Sequence, residues 1–114
     1  QKFKRLKSKK EITFIFDCGA SISSFPIKLF FIKNSLKKRS NVAFTVGKKS
    51  LNKAVDRNKT KRLMREVFRL NCLKDGVFLG HSLVFVYLGK EVVPFDSIKK
   101  GFLGVVEKFA AKKI

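Results

Sequence analysis

Acidic residues are scarce in this chain: 8 Asp and Glu stand against 27 Lys and Arg, a formal net charge of +19 over 114 residues. One-signed charge at that density repels itself and opposes compaction, so the expected partner is a dense polyanion, nucleic acid ahead of an anionic membrane surface. Tryptophan is absent, and there are only 2 cysteines and 1 histidine. Cys18 and Cys72 form no C-x-x-C pair and no regular framework, which argues against a disulfide scaffold. With His81 they fall short of the four ligands of a tetrahedral zinc site. Long hydrophobic runs are missing too. Ile27 to Ile32, interrupted by Lys28, is far shorter than the ~20 residues that cross a bilayer, and the basic start of the chain leads into charged residues rather than a signal-peptide core. The expected location is the cytoplasm, with no membrane partner. Nothing in the sequence marks an obligate protein partner.

What is present is a core. The chain is 45% hydrophobic and has 13 Phe, which excludes a disordered basic tail, and its length suits one domain, residues 1–114. Ser8-Lys9-Lys10-Glu11 has the spacing of a capping box. A short helix is expected from there, with Ile12, Ile15 and Phe16 on one side and Gly19 ending it in the left-handed conformation. After a turn over Ser21 to Pro26, Ile27 to Ile32 reads as a strand with Ile27, Leu29 and Phe31 on one face and Lys28, Phe30 and Ile32 on the other. Asn34 to Asn41 reads as a polar turn, Val42 to Val46 as a second strand, and about Asp56 to Leu70 as the best helix. Gly76 and Gly80 punctuate a loop. Ser82 to Leu88 is apolar on both faces and is expected to be a central strand. A last helix follows Pro94, its apolar side marked by Ile98, Phe102, Val105, Val106 and Phe109, with Lys112 and Lys113 at its end to suit the helix dipole. Interleaved helices and strands imply a layered α+β (α/β) sandwich.

The charge concentrates in one segment. From Lys48 to Arg69 the cations are Lys48, Lys49, Lys53, Arg57, Lys59, Lys61, Arg62, Arg65 and Arg69, opposed only by Asp56 and Glu66. At about 100° per residue, Asn58, Lys61, Arg62, Arg65 and Arg69 fall within an arc of roughly 100°, with Leu63, Val67 and Leu70 opposite. Solvated helix faces normally mix signs. A face of nearly one sign matches a line of phosphates, and arginine adds bidentate pairing. Asp56 is expected to cap this helix or to tune its charge.

Arg57-Asn58-Lys59-Thr60-Lys61-Arg62-Leu63-Met64-Arg65-Glu66 closely resembles the R-N-x-x-K-R-x-x-R-E box of the bacterial ribonuclease P protein subunit. Arg5-Leu6 resembles the family's amino-terminal R-L segment, and Val46-Gly47-Lys48-Lys49 its strand ending in a small residue and two lysines. Two positions depart from the pattern. Lys59 stands where the box usually has Arg, and Ile12 where the family often has an aromatic residue. The resemblance implies a small mixed sheet of about four strands packed with three helices in an αβββαβα-like order, similar to a ribosomal protein domain. It implies a subunit that joins a large catalytic RNA to remove the 5′ leader of precursor tRNA, the RNA doing the chemistry with Mg²⁺ bound mainly through RNA and no organic cofactor. It places Arg57, Asn58, Lys59, Lys61, Arg62, Arg65 and Arg69 against the catalytic RNA, with Lys48, Lys49 and Lys53 flanking. A cleft between the first helix and the sheet, at Ile12, Phe16, Lys28 and Phe30, would take the leader.

The residues support that division in their own right. Phe30 shares a strand face with Lys28, and an aromatic beside a cation suits a single strand, whose bases stack on rings while its phosphates pair with charge. Core packing is the competing role for Phe16 and Phe30. No catalytic residues are expected of the protein: it has one His, and its eight acids, Glu11, Asp17, Asp56, Glu66, Asp75, Glu91, Asp96 and Glu107, are scattered, whereas protein ribonucleases use His pairs, His with Lys, or clustered carboxylates on metal. A non-catalytic RNA-binding module, such as a ribosomal protein or RNA chaperone, would show the same charge without the box. A DNA-binding regulator would need a two-helix reading unit or dimer seam, and neither is evident.

Overall fold

The computed structural model describes residues 3–33, 40–72 and 76–112. Five strands and three helices follow in the order β1 (Phe3–Arg5), α1 (Lys9–Cys18), β2 (Ala20–Ser24), β3 (Ile27–Lys33), β4 (Ser40–Val46), α2 (Ala54–Asn71), β5 (His81–Tyr87) and α3 (Phe95–Lys112). This is the expected αβββαβα order with one short strand added in front. The five strands form a single mixed sheet, β1-β4-β5-β3-β2. β2 and β3 pair antiparallel, as do β3 and β5, whereas β4 runs parallel to both β5 and β1.

The alternation of side chains divides the sheet into two unlike faces. Ile22, Ile27, Leu29, Val42, Val46, Leu83, Phe85 and Tyr87 enter the main core with Met64, Val67 and Phe68 of α2 and Ile98, Phe102, Val105 and Phe109 of α3. On the other face α1 is the only helix among the described residues, burying Ile15 with Leu6, Ala43 and Val84. β5 is central and nearly all buried, as its two apolar faces required.

Aromatic rings build much of the larger core. Phe68 lies among Phe3, Phe44, Phe78 and Phe85, at centroid separations typical of edge-to-face and offset-stacked rings. Phe78 reaches this cluster from the loop before β5, where Gly76 (φ 61°) and Gly80 (φ 77°) both take left-handed conformations. Few L-residues adopt that region, so the two glycines are what allow the loop to fold its ring inward. At the far side of the sheet α3 approaches β2 closely. A Cβ on Gly101 would lie 2.8 Å from the Ile27 side chain and 3.2 Å from the Ser24 carbonyl oxygen.

Three sequence expectations change. Ser21 to Ser24 belongs to edge strand β2 rather than to a turn, which is confined to Phe25 and Pro26. Gly19 ends α1 in extended backbone (φ −80°, ψ 159°), not left-handed. Its glycine character answers a close approach, since a Cβ would come within 2.5 Å of the Ile15 carbonyl oxygen and 2.8 Å of that of Phe31. In the capping box, the Ser8 hydroxyl accepts from the Glu11 N–H at 3.3 Å. The core stripe of α2 is Thr60, Met64, Val67 and Phe68, while Leu70 is 48% exposed. Most of the polar turn expected after β3, and Lys113, lie outside the described residues.

Candidate nucleic-acid interface

The stripe on α2 follows from where its core contacts lie. With Thr60, Met64, Val67 and Phe68 turned inward, Asn58, Lys59, Arg62 and Arg69 are exposed and Lys61 and Arg65 half-buried at the border. The Arg65 guanidinium lies 5.9 Å from the centroid of Phe44, a ring at the edge of the core, so this cation is steered by a ring as well as by charge. Arg69 pairs with Glu66 at 2.5 Å, which offsets part of its charge. Asp56 is not the cap: the N-cap is Lys53, whose side chain makes no capping bond, and Asp56 sits in the first turn, where its negative charge favours the helix dipole.

The loop leading into α2 is braced from several sides. Gly47 accepts through its carbonyl from the N–H groups of Ser50 and Leu51, both at 3.1 Å. The Ser50 hydroxyl donates to the Tyr87 carbonyl at 3.2 Å, and Lys90 Nζ donates to the Lys49 carbonyl at 3.3 Å. Arg57 Nη1 donates to the carbonyls of Leu51 and Asn52. Leu51 is buried, and Lys48, Lys49 and Lys53 remain exposed. The loop thus continues the cationic surface of the helix.

On the thinly covered face, the residues expected to form a cleft come together. Phe16 and Phe30 meet edge to face, with centroids 4.9 Å apart. Lys28 Nζ sits 5.0 Å from the Phe30 centroid, and Ile12 packs at the border of the small cluster around Ile15. Phe16 is 39% exposed and Phe30 half-buried, so neither ring is committed wholly to the core. The opposite flank of α1 holds a cavity of about 300 Å³ lined by Lys10, Glu11, Phe14, Ile15, Ile32 and Ser82. Phe14, 54% exposed there, was not picked out from the sequence. Its position two residues before Phe16, on the other flank of a 100°-per-residue helix, was the available signal.

The remaining reactive groups are placed structurally. His81 is buried against Phe31 and Phe109, its Nδ1 3.1 Å from the Leu79 carbonyl oxygen. Cys72 is buried and its thiol is pushed up to about 12 by desolvation, whereas Cys18 is exposed; neither is in a disulfide. Among the described residues no three His, Cys, Asp or Glu side chains gather closely enough to hold a metal. None of the described helices is long and apolar enough to cross a membrane.

Fold and surface together define a compact α+β nucleic-acid-binding protein with a cationic helix on one side of the sheet and a cluster of one cation and two rings on the other. Residues 1–110 match the family model described as Ribonuclease P. The ribonuclease P protein component of Natranaerobius thermophilus is 40% identical over 81 residues, covering 71% of this chain and 67% of that protein. That of Caldanaerobacter subterraneus is 29% identical over 109 residues, covering 95% of this chain and 90% of the relative. Among solved structures, the RNase P protein from Thermotoga maritima superposes with a TM-score of 0.75 at 30% identity, covering 92% of this chain and 96% of that one. The Staphylococcus aureus RNase P protein, at 21% identity, shares the fold with a TM-score of 0.77, covering 91% of this chain and 93% of its own. The chain belongs to the ribonuclease P protein family and is a protein component of that endoribonuclease ribonucleoprotein.

Proposed function

We propose that this subunit docks on the catalytic RNA of ribonuclease P through α2 and the loop before it, and holds the 5′ leader of precursor tRNA in the cleft between α1 and the sheet. The supporting observation is the pairing of an outward, nearly one-signed cationic face with a separate cluster in which Phe16, Phe30 and Lys28 converge. Asn58, Lys59, Lys61, Arg62 and Arg65 face the RNA, flanked by Lys48, Lys49 and Lys53. Arg69 contributes less because Glu66 holds it.

Cleavage itself belongs to the RNA in this reading. His81 is packed among rings, and the carboxylates form no cluster among the described residues that would fit a resident metal. Mg²⁺ is held mainly by RNA phosphates. The protein screens the repulsion between substrate and ribozyme phosphates and orients the leader, which strengthens substrate binding. The site of action is the cytoplasm, where precursor tRNA is made.

Reconstitution tests this. The protein added to a bacterial ribonuclease P RNA at low Mg²⁺ should accelerate removal of the leader and tighten binding of precursor over mature tRNA. RNA binding without any such stimulation would leave a general RNA-binding module and refute the assignment of leader and ribozyme.

A further inference from the structure

One member of the cationic stripe turns its charge inward. Arg57 Nη1 donates to the main-chain carbonyl of Leu51 at 3.0 Å and to that of Asn52 at 2.8 Å. A guanidinium nitrogen of this kind carries two hydrogens, so both are committed to these carbonyls. Leu51 and Asn52 immediately precede Lys53, the N-cap of α2, which has no side-chain capping bond of its own. The guanidinium therefore clips the chain where loop becomes helix, in place of a cap. The first half of the loop is fixed differently, by the Gly47 carbonyl, by Ser50 on Tyr87 and by Lys90 on Lys49. Without the Arg57 clip, the stretch from Leu51 to Lys53 is tethered at one end by the buried Leu51 side chain and its N–H on the Gly47 carbonyl and at the other by an uncapped helix start.

We infer that Arg57 is a positioning residue: it serves RNA binding by holding the stretch 51–53, and with it the cation Lys53, in one arrangement before RNA arrives. This rests on the reading of that loop as part of the RNA-facing surface. Its physical basis is preorganisation, since a loop already ordered in the free protein loses less conformational freedom on binding. An arginine that worked only as a phosphate contact would be independent of Lys53. A clip couples to it.

Two measurements test it. In the free protein, Arg57→Ala should speed hydrogen exchange at the Leu51 amide by tenfold or more while those of Leu83 and Phe85 in β5 stay protected, showing that the fold persists. With catalytic RNA, Arg57→Ala and Lys53→Ala should combine non-additively, the lysine replacement costing several-fold less affinity once Arg57 is gone. Unchanged exchange, or additive losses, would overturn the inference. Should the alanine variant fail to fold, Arg57→Met, which keeps an aliphatic stem and removes every donor, is read in the same two ways. If the wild-type protein does not bind the RNA at all, the functional reading falls, while exchange in the free protein still decides whether Arg57 holds the loop.

Discussion

Lys28 Nζ lies 5.0 Å from the centre of the Phe30 ring, two residues along the same strand and on the same face. A third group, Phe16 of α1, closes on the same ring from above. Charge and ring surface thus meet at one point, which is what a nucleotide needs, its phosphate and base being recognised by different chemistry.

Replacing Phe16 by Ala should weaken binding of leader-bearing precursor to the holoenzyme by the worth of one stacked base, about 1–3 kcal/mol, and leave mature tRNA nearly unaffected. Phe16 is the ring to change first because it is the more exposed of the two. Parallel titrations of precursor and mature tRNA decide the matter; an equal loss for both would assign the ring to packing.

On α2, the exposed Arg62 and the paired Arg69 should differ. Arg62→Ala is expected to lower the slope of log affinity against log salt by about one, and Arg69→Ala by less, because Glu66 already holds that guanidinium. Glu66→Gln should release Arg69 and raise affinity at low salt. Identical slopes for both arginine variants would show that the ion pair does not persist beside RNA.

Gly101 should tolerate no side chain. A Cβ there would press on Ile27, Pro26 and the Ser24 carbonyl. Overpacking of this kind costs about 1–3 kcal/mol, more than the roughly 1 kcal/mol of helix propensity that Ala gains over Gly. Urea denaturation of Gly101→Ala should therefore show a lower midpoint. A raised midpoint would mean that α3 and β2 part easily.

Cys72 supplies a pH test. Its thiol is raised to about 12 by burial, while in the unfolded chain it ionises near the ordinary ~8.5. Between these values the unfolded state has lost a proton that the folded state retains, so this group's contribution is complete below the lower value and declines as pH rises through the window. Cys72→Ser moves the unfolded-state ionisation out of the window, so its stability should fall less steeply from pH 8.5 upward than that of the wild type. Alkylation of the native protein at pH 8 should label Cys18 and spare Cys72 until denaturant is added.

Much of this was readable from the chain. The box from Arg57 to Glu66 carried the family, the alternation from Ile27 to Ile32 correctly divided β3 between two faces, and the residues named for α3 all lie in or against the core. Strand β2 escaped notice because an edge strand with four of five positions outside the core leaves Ile22 as its only marker. β1 is three residues long and depends on parallel pairing with β4, a contact made far along the chain. Leu70 was assigned inward from angle alone, yet the core meets α2 through Met64 and Phe68, one flank over, and leaves Leu70 outside. The inward turn of Arg57 was equally hidden, because a charge count gives no hint of which carbonyls a guanidinium will find.

The unequal covering of the sheet has a consequence for how such a protein can diversify. Two long helices and a cluster of rings secure one side, so the fold's durability is settled there. The other side carries a single ten-residue helix, and exchanges at Ile12, Phe14, Phe16 or Lys28 touch little of what keeps the molecule folded. With the leader seated there as proposed, preference among transcripts would drift on this lightly roofed side while the scaffold beneath it stays the same.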